Sequence, residues 1–324
     1  MILVVALNPA LDITHHVAGA NWDGVNRPFA VHARAGGKGL NVARTLYALG
    51  QVVTLTGMAG GLTGQAVLDG LAGTGIMTEL TPITGETRRT FAIADTVTGQ
   101  TALFNEPGPA VSAEEYQQFF VAYERALSSS AAVVLSGSLP AGVPADAYAR
   151  LIAVATDAGV PAVLDADGAA LASGAAAGPA LVKPNLAELE TLTGHRLRAV
   201  GRPEAPDLAA VEAAAYRLIE RGAGAVVVSL GADGLLAVGP AGTWRARPPR
   251  PVPGNPTGAG DAVVAGLADS LARGHDWRAM LRHAVALGTA AAGTPVAGDF
   301  ALADYERLVT TVQVAGAAAG RERG

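Results

Sequence analysis

The stretch Asn255-Pro256-Thr257-Gly258-Ala259-Gly260-Asp261 leads directly into a run with helical spacing, Ala262–Arg273. A glycine-rich turn that opens a helix leaves backbone N–H groups without partners, and these donors, together with the helix dipole, bind an anion. We expect Asp261 in the first turn of this helix, where a carboxylate can take a proton from an attacking hydroxyl. In an isolated GxGD motif, a carboxylate that only favours the helix start electrostatically would be the better interpretation. The stretch is neither a Walker loop nor a complete GxGxxG motif, since position 263 is valine.

Upstream of this stretch, short apolar runs alternate with segments of helical spacing. Such alternation predicts a mainly parallel sheet covered by helices on both faces, with ligands bound beyond the carboxyl ends of its strands. The predicted strands are Ile2–Leu7, Ala132–Leu135, Ala162–Asp165, Leu181–Val182, Ala225–Leu230 and Leu235–Val238. The predicted helices include Ala113–Ser128, Pro144–Ala158 and Leu208–Arg221.

Two segments interrupt this alternation, at about residues 12–34 and 87–104. Their polar and apolar residues interleave, so they are expected to form short strands of a small separate sheet that acts as a lid. Surface hairpins are the alternative. We therefore predict a single domain over residues 1–314, with the two lid segments inserted, and a disordered tail at 315–324.

The composition narrows the class of protein. Half of the 324 residues are hydrophobic and 16% are charged, which supports a large buried core. No run reaches the roughly 18 apolar residues of a membrane span, and the apolar start, Met1–Leu7, is expected to be a strand rather than a signal peptide. Without cysteine, and with a net charge of -5, we expect a cytoplasmic protein that binds neither membrane nor nucleic acid.

A second glycine turn, Ala35-Gly36-Gly37-Lys38-Gly39-Leu40-Asn41-Val42-Ala43-Arg44, also leads into a helix. Gly36 and Gly37 would let the backbone approach a ligand closely. Lys38 and Asn41 are three residues apart and share a helix face, so together they could hold a sugar hydroxyl and a phosphate. A tight turn with solvated side chains is the alternative. Of the 23 basic residues, only Lys38 and Lys183 are lysines.

Other polar residues follow predicted strands and have two interpretations. Asp12 could accept hydrogen bonds from sugar hydroxyls or could belong to a turn. Asn185 and Glu188 could cap a helix or face Mg²⁺ and its waters. Ser229–Gly234 could be a plain hairpin loop or line a nucleotide cleft. Ser138 ends a strand, while Arg27, Arg88 and Arg89 fall in the lid segments, where arginines can close over a phosphate. The histidines show no metal-ligand spacing.

Taken together, these motifs resemble the ribokinase/PfkB family of carbohydrate kinases, from the first strand to about residue 312. The pairing of AGGKGLNVAR with NPTGAGD is highly specific. The resemblance implies a three-layer α/β/α domain with a mainly parallel sheet and a small β-sheet lid. It is greatest to the phosphohexose branch, and is carried by Leu7–Asp12, Val25–Arg27, Gly36–Arg44, Thr87-Arg88, Gly137–Pro140, Val182–Glu188 and Ser229–Gly234.

Within that branch, Asn255-Pro256, Leu40 and Phe91-Ala92-Ile93 look like the tagatose-6-phosphate kinases. The pattern of the 1-phosphofructokinases usually has an apolar residue and asparagine where Arg89 and Thr90 stand, and often lysine at Ala92. The phosphate grip of the lid is therefore expected to differ from theirs.

The resemblance implies roles by position. Asp261 would be the catalytic base, and Gly258, Ala259 and Gly260 would form the anion hole. The sugar phosphate would be held by Asp12, Arg27, Gly36, Gly37, Lys38, Asn41, Arg88 and Ser138. ATP would be bound by Lys183, Asn185, Ser229, Gly231 and Gly234, with Gly258 and Gly260. Asn185 and Glu188 would act near Mg²⁺, through water. Family members often dimerise through the lid sheets, so a homodimer is expected.

The expected reaction is in-line transfer of the γ-phosphoryl group of ATP to a hexose phosphate, with tagatose 6-phosphate as first substrate. The alternatives are 1-phosphofructokinase or 6-phosphofructokinase activity, or another sugar. Asp261 is expected to be ionised at neutral pH, since a free aspartate has a pKa of about 3.9. A non-catalytic sugar-phosphate sensor is disfavoured by the intact Gly260-Asp261 pair. A nicotinamide-dependent oxidoreductase ranks last, because Asn8-Pro9-Ala10 replaces the expected GxGxxG.

Overall fold

The computed structural model describes residues 1–250, 257–294 and 298–316. Its first strand is Ile2–Ala6 (β1), whose five side chains are all buried, as in a strand covered on both faces. The further strands, in chain order, are β2 (Ala10–Val17), β3 (Ala30–Gly36), β4 (Val53–Gly60), β5 (Met77–Ile83), β6 (Arg88–Asp95), β7 (Thr101–Asn105), β8 (Ala132–Ser136), β9 (Ala162–Asp165), β10 (Leu181–Val182), β11 (Arg198–Ala199), β12 (Arg202–Pro206), β13 (Val226–Ser229), β14 (Leu235–Gly239), β15 (Gly242–Arg247) and β16 (Gln313–Gly316).

Several helices begin at side chains that satisfy the free N–H groups of the first turn. Ser112 forms a capping box with Glu115, and Asp207 and Asp276 accept N–H groups at two other starts. In chain order, the described helices are α1 (Lys38–Ala48), α2 (Gly61–Leu71), α3 (Ala113–Leu127), α4 (Ala147–Asp157), α5 (Gly168–Ala176), α6 (Leu186–Thr193), α7 (Leu208–Glu220), α8 (Ala259–Ala272), α9 (Trp277–Ala292) and α10 (Leu302–Val309). None of them is long and apolar enough to cross a bilayer.

Ten strands of the described chain form one sheet, in the order β16-β15-β14-β13-β10-β9-β8-β1-β4-β5. All neighbours from β5 to β13 pair in parallel, which confirms the predicted sheet type. The strands β14, β15 and β16 add an antiparallel edge. The carboxyl ends of the parallel strands therefore meet at one edge of the sheet, where ligands of such folds bind.

Two hydrophobic cores lie on opposite faces of this sheet. Side chains alternate along β1, so Leu3 and Val5 enter one core while Ile2 and Val4 enter the other. Helices α3 to α7 cover the first core, and α1, α2, α8, α9 and α10 cover the second. The three layers are those expected from the sequence.

A second, four-stranded sheet has the order β3-β2-β6-β7 and is called the small sheet below. Its strands come from the two segments that the sequence predicted to form a separate sheet. Strands β2 and β6 pair in parallel, and the other two pairs are antiparallel. Helix α2 contacts β2 and β3 and so joins the small sheet to the body of the domain. Asp12 lies within β2, so its interpretation as a turn residue was wrong.

Several predicted boundaries need correction. Helix α4 begins at Ala147 rather than at Pro144, because the three residues before it form a turn closed by the Ala147 N–H on the Pro144 carbonyl. The tail was placed from residue 315 onward, but Ala315 and Gly316 pair with β15. Regular structure therefore continues two residues further than expected, and residues 317–324 lie outside the described part of the chain.

Candidate active site

Helix α8 begins at a glycine that adopts a left-handed conformation. Gly258, the N-cap residue, has φ 82°, which disfavours any residue with a side chain, and the helix starts at Ala259. Asp261 therefore lies in the first turn, as expected, and is buried. As at any helix start, the first N–H groups have no partner within the helix and can bind an anion. Asn255 and Pro256, the start of the motif, lie outside the described residues.

The second glycine motif meets the first in space. Gly37, with φ 94°, caps α1, and Asn41 in the first turn of α1 donates a hydrogen bond from Nδ2 to Asp261 Oδ2 at 2.8 Å. This bond joins residues 220 positions apart. It orients the buried carboxylate and fixes the N-terminus of α1 beside that of α8. The two glycine motifs, far apart in the chain, therefore meet at one place.

A cluster of charged side chains lies near the starts of α1 and α8. Asp165, the last residue of β9, is 3.1 Å from the ammonium of Lys183 and 3.7 Å from that of Lys38. Lys38 is also 3.8 Å from Glu188. Lys183 is buried, and its Nζ lies 3.9 Å from the point where a Cβ on Gly260 would stand. Both lysines of the chain therefore place positive charge close to the candidate anion hole.

This environment shifts the pKa of two groups. Burial, followed by the negative charge of Asp165, raises the pKa of Asp261 to about 7, although Asn41 and the two lysines oppose the change. A carboxyl with this pKa is only partly ionised at neutral pH, whereas the sequence led us to expect an ionised one. Burial alone would lower the pKa of Lys38, but the surrounding carboxylates, Asp165 first among them, raise it above the ordinary value.

The base of the small sheet presents a second set of polar groups. Thr90 in β6 donates a hydrogen bond to the carboxylate of Asp12. The Nε of Arg88 donates to the Asn8 carbonyl at 3.1 Å. The side chain of Asn8 in turn donates to Ser138 Oγ at 3.1 Å. Because Asn8 follows β1 and Ser138 follows β8, these contacts connect the small sheet to the carboxyl edge of the main sheet.

The residues proposed from the sequence to bind the nucleotide follow β10 and β13, which come after β9 in the strand order of the main sheet counted from β5. Asn185 and Glu188 form a capping box at the start of α6, with both bonds at 2.8 Å, so their capping interpretation is confirmed. The N–H of Ser229 donates to the Pro184 carbonyl at 3.0 Å. A single helical turn, Gly231–Asp233, and Gly234 then lead into β14. The predicted hairpin is present, and it lies directly beside the start of α6.

The structure thus brings most of the predicted site residues to neighbouring strand ends, and one of them stands apart. Arg27 is exposed in the loop that joins β2 to β3. Sequence reasoning missed three residues of the site, Asn8, Thr90 and Asp165. Asp165 carried a usable signal, because it is a carboxylate at the carboxyl end of a predicted strand, the same feature that singled out Asp12.

Comparisons with known proteins agree with the fold. A family model described as pfkB family carbohydrate kinase matches residues 5–302. A putative phosphofructokinase from Staphylococcus aureus is 30% identical, with 97% of this chain and 98% of that chain covered and a TM-score of 0.80. Phosphofructokinase-2 from Escherichia coli in complex with fructose-6-phosphate is 30% identical, with 95% and 98% covered and a TM-score of 0.83. A possible 1-phosphofructokinase from Thermotoga maritima is 26% identical, with 98% and 99% covered and a TM-score of 0.84.

Proposed function

The chain belongs to the pfkB family of carbohydrate kinases, and from this membership we propose that it phosphorylates a hexose that already carries a phosphate. It is an ATP-dependent sugar kinase with the ribokinase-like fold. Tagatose 6-phosphate is the first candidate substrate, with the 1,6-bisphosphate as product. Fructose 6-phosphate and fructose 1-phosphate form the second candidate class, which the likeness to phosphofructokinases favours.

The environment of Arg88 is the main support for a substrate that already carries a phosphate. Its guanidinium is half buried, bonds to the carbonyls of Asn8 and Glu106, and forms no salt bridge with any carboxylate of the described residues. Burial lowers the pKa of Arg88, against the influence of Asp12 and Glu106, but an arginine stays charged at neutral pH. Its neighbour Arg89 is instead neutralised by Glu106 at 2.9 Å. A half-buried cation that forms no salt bridge within the described residues suits the phosphate of a substrate.

Asp261 is proposed as the general base of the transfer. The substrate hydroxyl oxygen forms a bond to the γ-phosphorus of ATP while the bond from that phosphorus to the bridging oxygen of ADP breaks, and the hydroxyl proton passes to Asp261. A base with a pKa of about 7 is well matched to neutral pH, because it is partly ionised and still basic. The N–H groups of Gly258–Gly260 and the ammonium of Lys183 stabilise the charge on the transferred group.

Mg²⁺ and ATP are proposed to bind beside α6. A cavity of about 560 Å³ is lined there by Asp167, Asn185 and Glu188, among others. These oxygen donors suit Mg²⁺, which keeps several waters and binds through one or two carboxylates. No cluster of three ligating side chains lies within the described residues, so phosphates and water would complete the coordination. When bound, the ion neutralises charge on the phosphates of ATP.

A homodimer through the small sheet is also proposed. Large exposed apolar side chains gather on this sheet and on its β2–β3 loop, where Trp22 and Phe104 have ring centroids 6.4 Å apart. Phe29, Val31 and Leu103 are also more than half exposed. A concentration of exposed apolar surface marks an interaction site, and a second copy of the chain can cover it symmetrically. One structure of Escherichia coli phosphofructokinase-2 is described as a tetrameric inhibited form.

The proposal is tested by ADP release with Mg-ATP against tagatose 6-phosphate, fructose 6-phosphate, fructose 1-phosphate, fructose and ribose. A phosphorylated hexose should show a kcat/KM far above that of the free sugars. Arg88→Gln should raise KM for the sugar phosphate by about 100-fold, as loss of a buried charged hydrogen bond predicts. The matched control Arg89→Gln should change it by less than about threefold. Preference for a free sugar, or equal effects of the two variants, would refute a phosphate role for Arg88.

A sensor without catalytic activity is the competing function. It would bind the sugar phosphate without ADP release. The buried Asp261 and its bond from Asn41 argue against it, because a sensor does not require a base held at this position.

A further inference from the structure

The pairing of β2 with β6 places one hydroxyl opposite the carboxylate that is proposed to hold the sugar. These strands pair in parallel, with Asp12 directly across from Thr90. The Thr90 hydroxyl donates a hydrogen bond to Asp12 Oδ1. Both side chains are partly buried, and a threonine in a strand has restricted χ1 freedom. The donor is therefore held in place by the small sheet itself.

The second carboxylate oxygen of Asp12 is positioned by the glycine motif. A Cβ added to Gly36 would stand only 1.8 Å from Asp12 Oδ2. The carboxylate thus occupies the space that a side chain at position 36 would need. Gly36 pairs with Ala10 at the end of β3, one residue before the N-cap of α1. Asp12 consequently lies against the segment that leads to Lys38 and Asn41.

On β3, the residue paired with Asp12 forms side-chain hydrogen bonds with a different carboxylate. Arg34 is paired with Asp12 across β2 and β3, but its guanidinium bonds to both carboxylate oxygens of Asp299. Asp12 therefore receives its side-chain hydrogen bond from Thr90 on β6, with Arg34 directed toward a different carboxylate.

We propose that Thr90 is a positioning residue that fixes the carboxylate of Asp12 for selection among sugar phosphates, an inference that rests on the proposed function. The terminal torsion of an aspartate is broad, so a carboxylate without a fixed donor can rotate. With Oδ1 held by Thr90, the remaining lone pairs point in set directions. A carboxylate fixed in this way accepts hydroxyls at one spacing and orientation, and sugars that are epimeric at one hydroxyl do not present the same pair.

The test distinguishes the effect of the Thr90 hydroxyl group from the effect of the shape of the Thr90 side chain. Thr90→Val removes the donor and keeps a β-branched side chain, Thr90→Ser keeps the donor, and Thr101→Val makes the same change on β7 of the small sheet, where Thr101 is exposed. Steady-state kinetics are measured with the phosphorylated hexose that the wild type uses best and with its epimer, each at varied sugar and varied ATP. Thermal unfolding is recorded for every variant.

Thr90→Val should raise KM for the sugar phosphate by about tenfold, the size expected when a hydrogen bond to a charged group is lost. KM for ATP should stay within about twofold, and the discrimination between epimers should fall by a similar tenfold. Thr90→Ser should restore both parameters to within about threefold of the wild type, and Thr101→Val should match the wild type.

An unchanged KM in Thr90→Val, a serine variant as impaired as the valine variant, or parallel increases in KM for both substrates would overturn the positioning role. If the wild type turned over no sugar phosphate at all, the proposed function itself would fail, and this inference with it. Activity of the wild type on sugar phosphates therefore tells the two failures apart.

Discussion

Replacement of Asp261 by asparagine tests whether the proposed general base destabilises the folded protein when it is ionised. Burial, and then the charge of Asp165, raise the pKa of this carboxyl from 3.8 to about 7. The folded protein thus binds the proton more tightly than the unfolded chain does. The stability that the protonated carboxyl contributes is complete below pH 3.8 and is lost as the pH rises through about 7. The difference corresponds to about 4 kcal/mol.

Asparagine has nearly the same shape, carries no charge at any pH and can still accept the hydrogen bond from Asn41. We therefore expect Asp261→Asn to be more stable than the wild type by about 4 kcal/mol at pH 8, and by about 2 kcal/mol at pH 5. An unfolding entropy of about 2.1 cal/mol/K per residue, applied to 324 residues, converts these values into Tm increases of about 6 °C and about 3 °C.

The assay is thermal unfolding of wild type and variant in matched buffers at pH 5 and pH 8. The control is Asp157→Asn, since Asp157 is exposed at the end of α4 and should leave Tm unchanged at both pH values. The same Asp261→Asn preparation should lose about 10²–10⁴-fold in kcat. A variant that is no more stable than the wild type at pH 8, or whose advantage is equal at both pH values, would refute the reasoning.

Three further predictions concern charge and assembly. The kcat/KM of the wild type should rise with pH through a midpoint near 7. Asp165→Asn should lower that midpoint, because it removes a charge that raises the pKa of Asp261. An unchanged midpoint in this variant would contradict the assignment. Lys183→Met should destabilise the protein by about 3–5 kcal/mol in denaturant unfolding, because Asp165 loses its buried partner. Lys38→Met should change stability by less than about 1 kcal/mol, because the side chain of Lys38 is about one-third exposed. Phe104→Lys should yield monomers in light scattering, and Val121→Lys, an equally exposed change on α3, should not; a dimer in both would place the interface elsewhere.

The sequence allowed the sheet, the layers and the two glycine turns to be predicted because these depend on local patterns. Apolar runs such as Ala132–Ser136 mark buried strands, and a glycine next to a helical run marks a helix start. The strands β4 and β5 received no prediction. Strand β4 contains two glycines and β5 contains Pro82, residue types that are uncommon in strands, so tertiary pairing decides their conformation.

The charges of the site could be predicted only in part. The sequence indicates a base at Asp261, but its pKa depends on burial and on Asp165, which is 96 residues away in the chain and approaches only through β9. The bond from Thr90 to Asp12 likewise depends on the register of β2 against β6. Distances between side chains on different strands follow from packing, and residue spacing in the sequence does not contain them.

The two lysines of the chain occupy positions that its general preference for arginine does not explain. Of the 23 basic residues, 21 are arginines, so a compositional preference accounts for most of the surface charge. Such a preference does not explain why both lysines lie within 4 Å of the same buried carboxylate, at 3.1 Å for Lys183 and 3.7 Å for Lys38. A guanidinium presents five donors in a rigid plane, and burying it beside Asp165 would leave several of them without acceptors. A compact ammonium with three donors fits beside Asp165 and still lies close to Gly260. The packing around Asp165 therefore favours an ammonium over a guanidinium at the buried position 183.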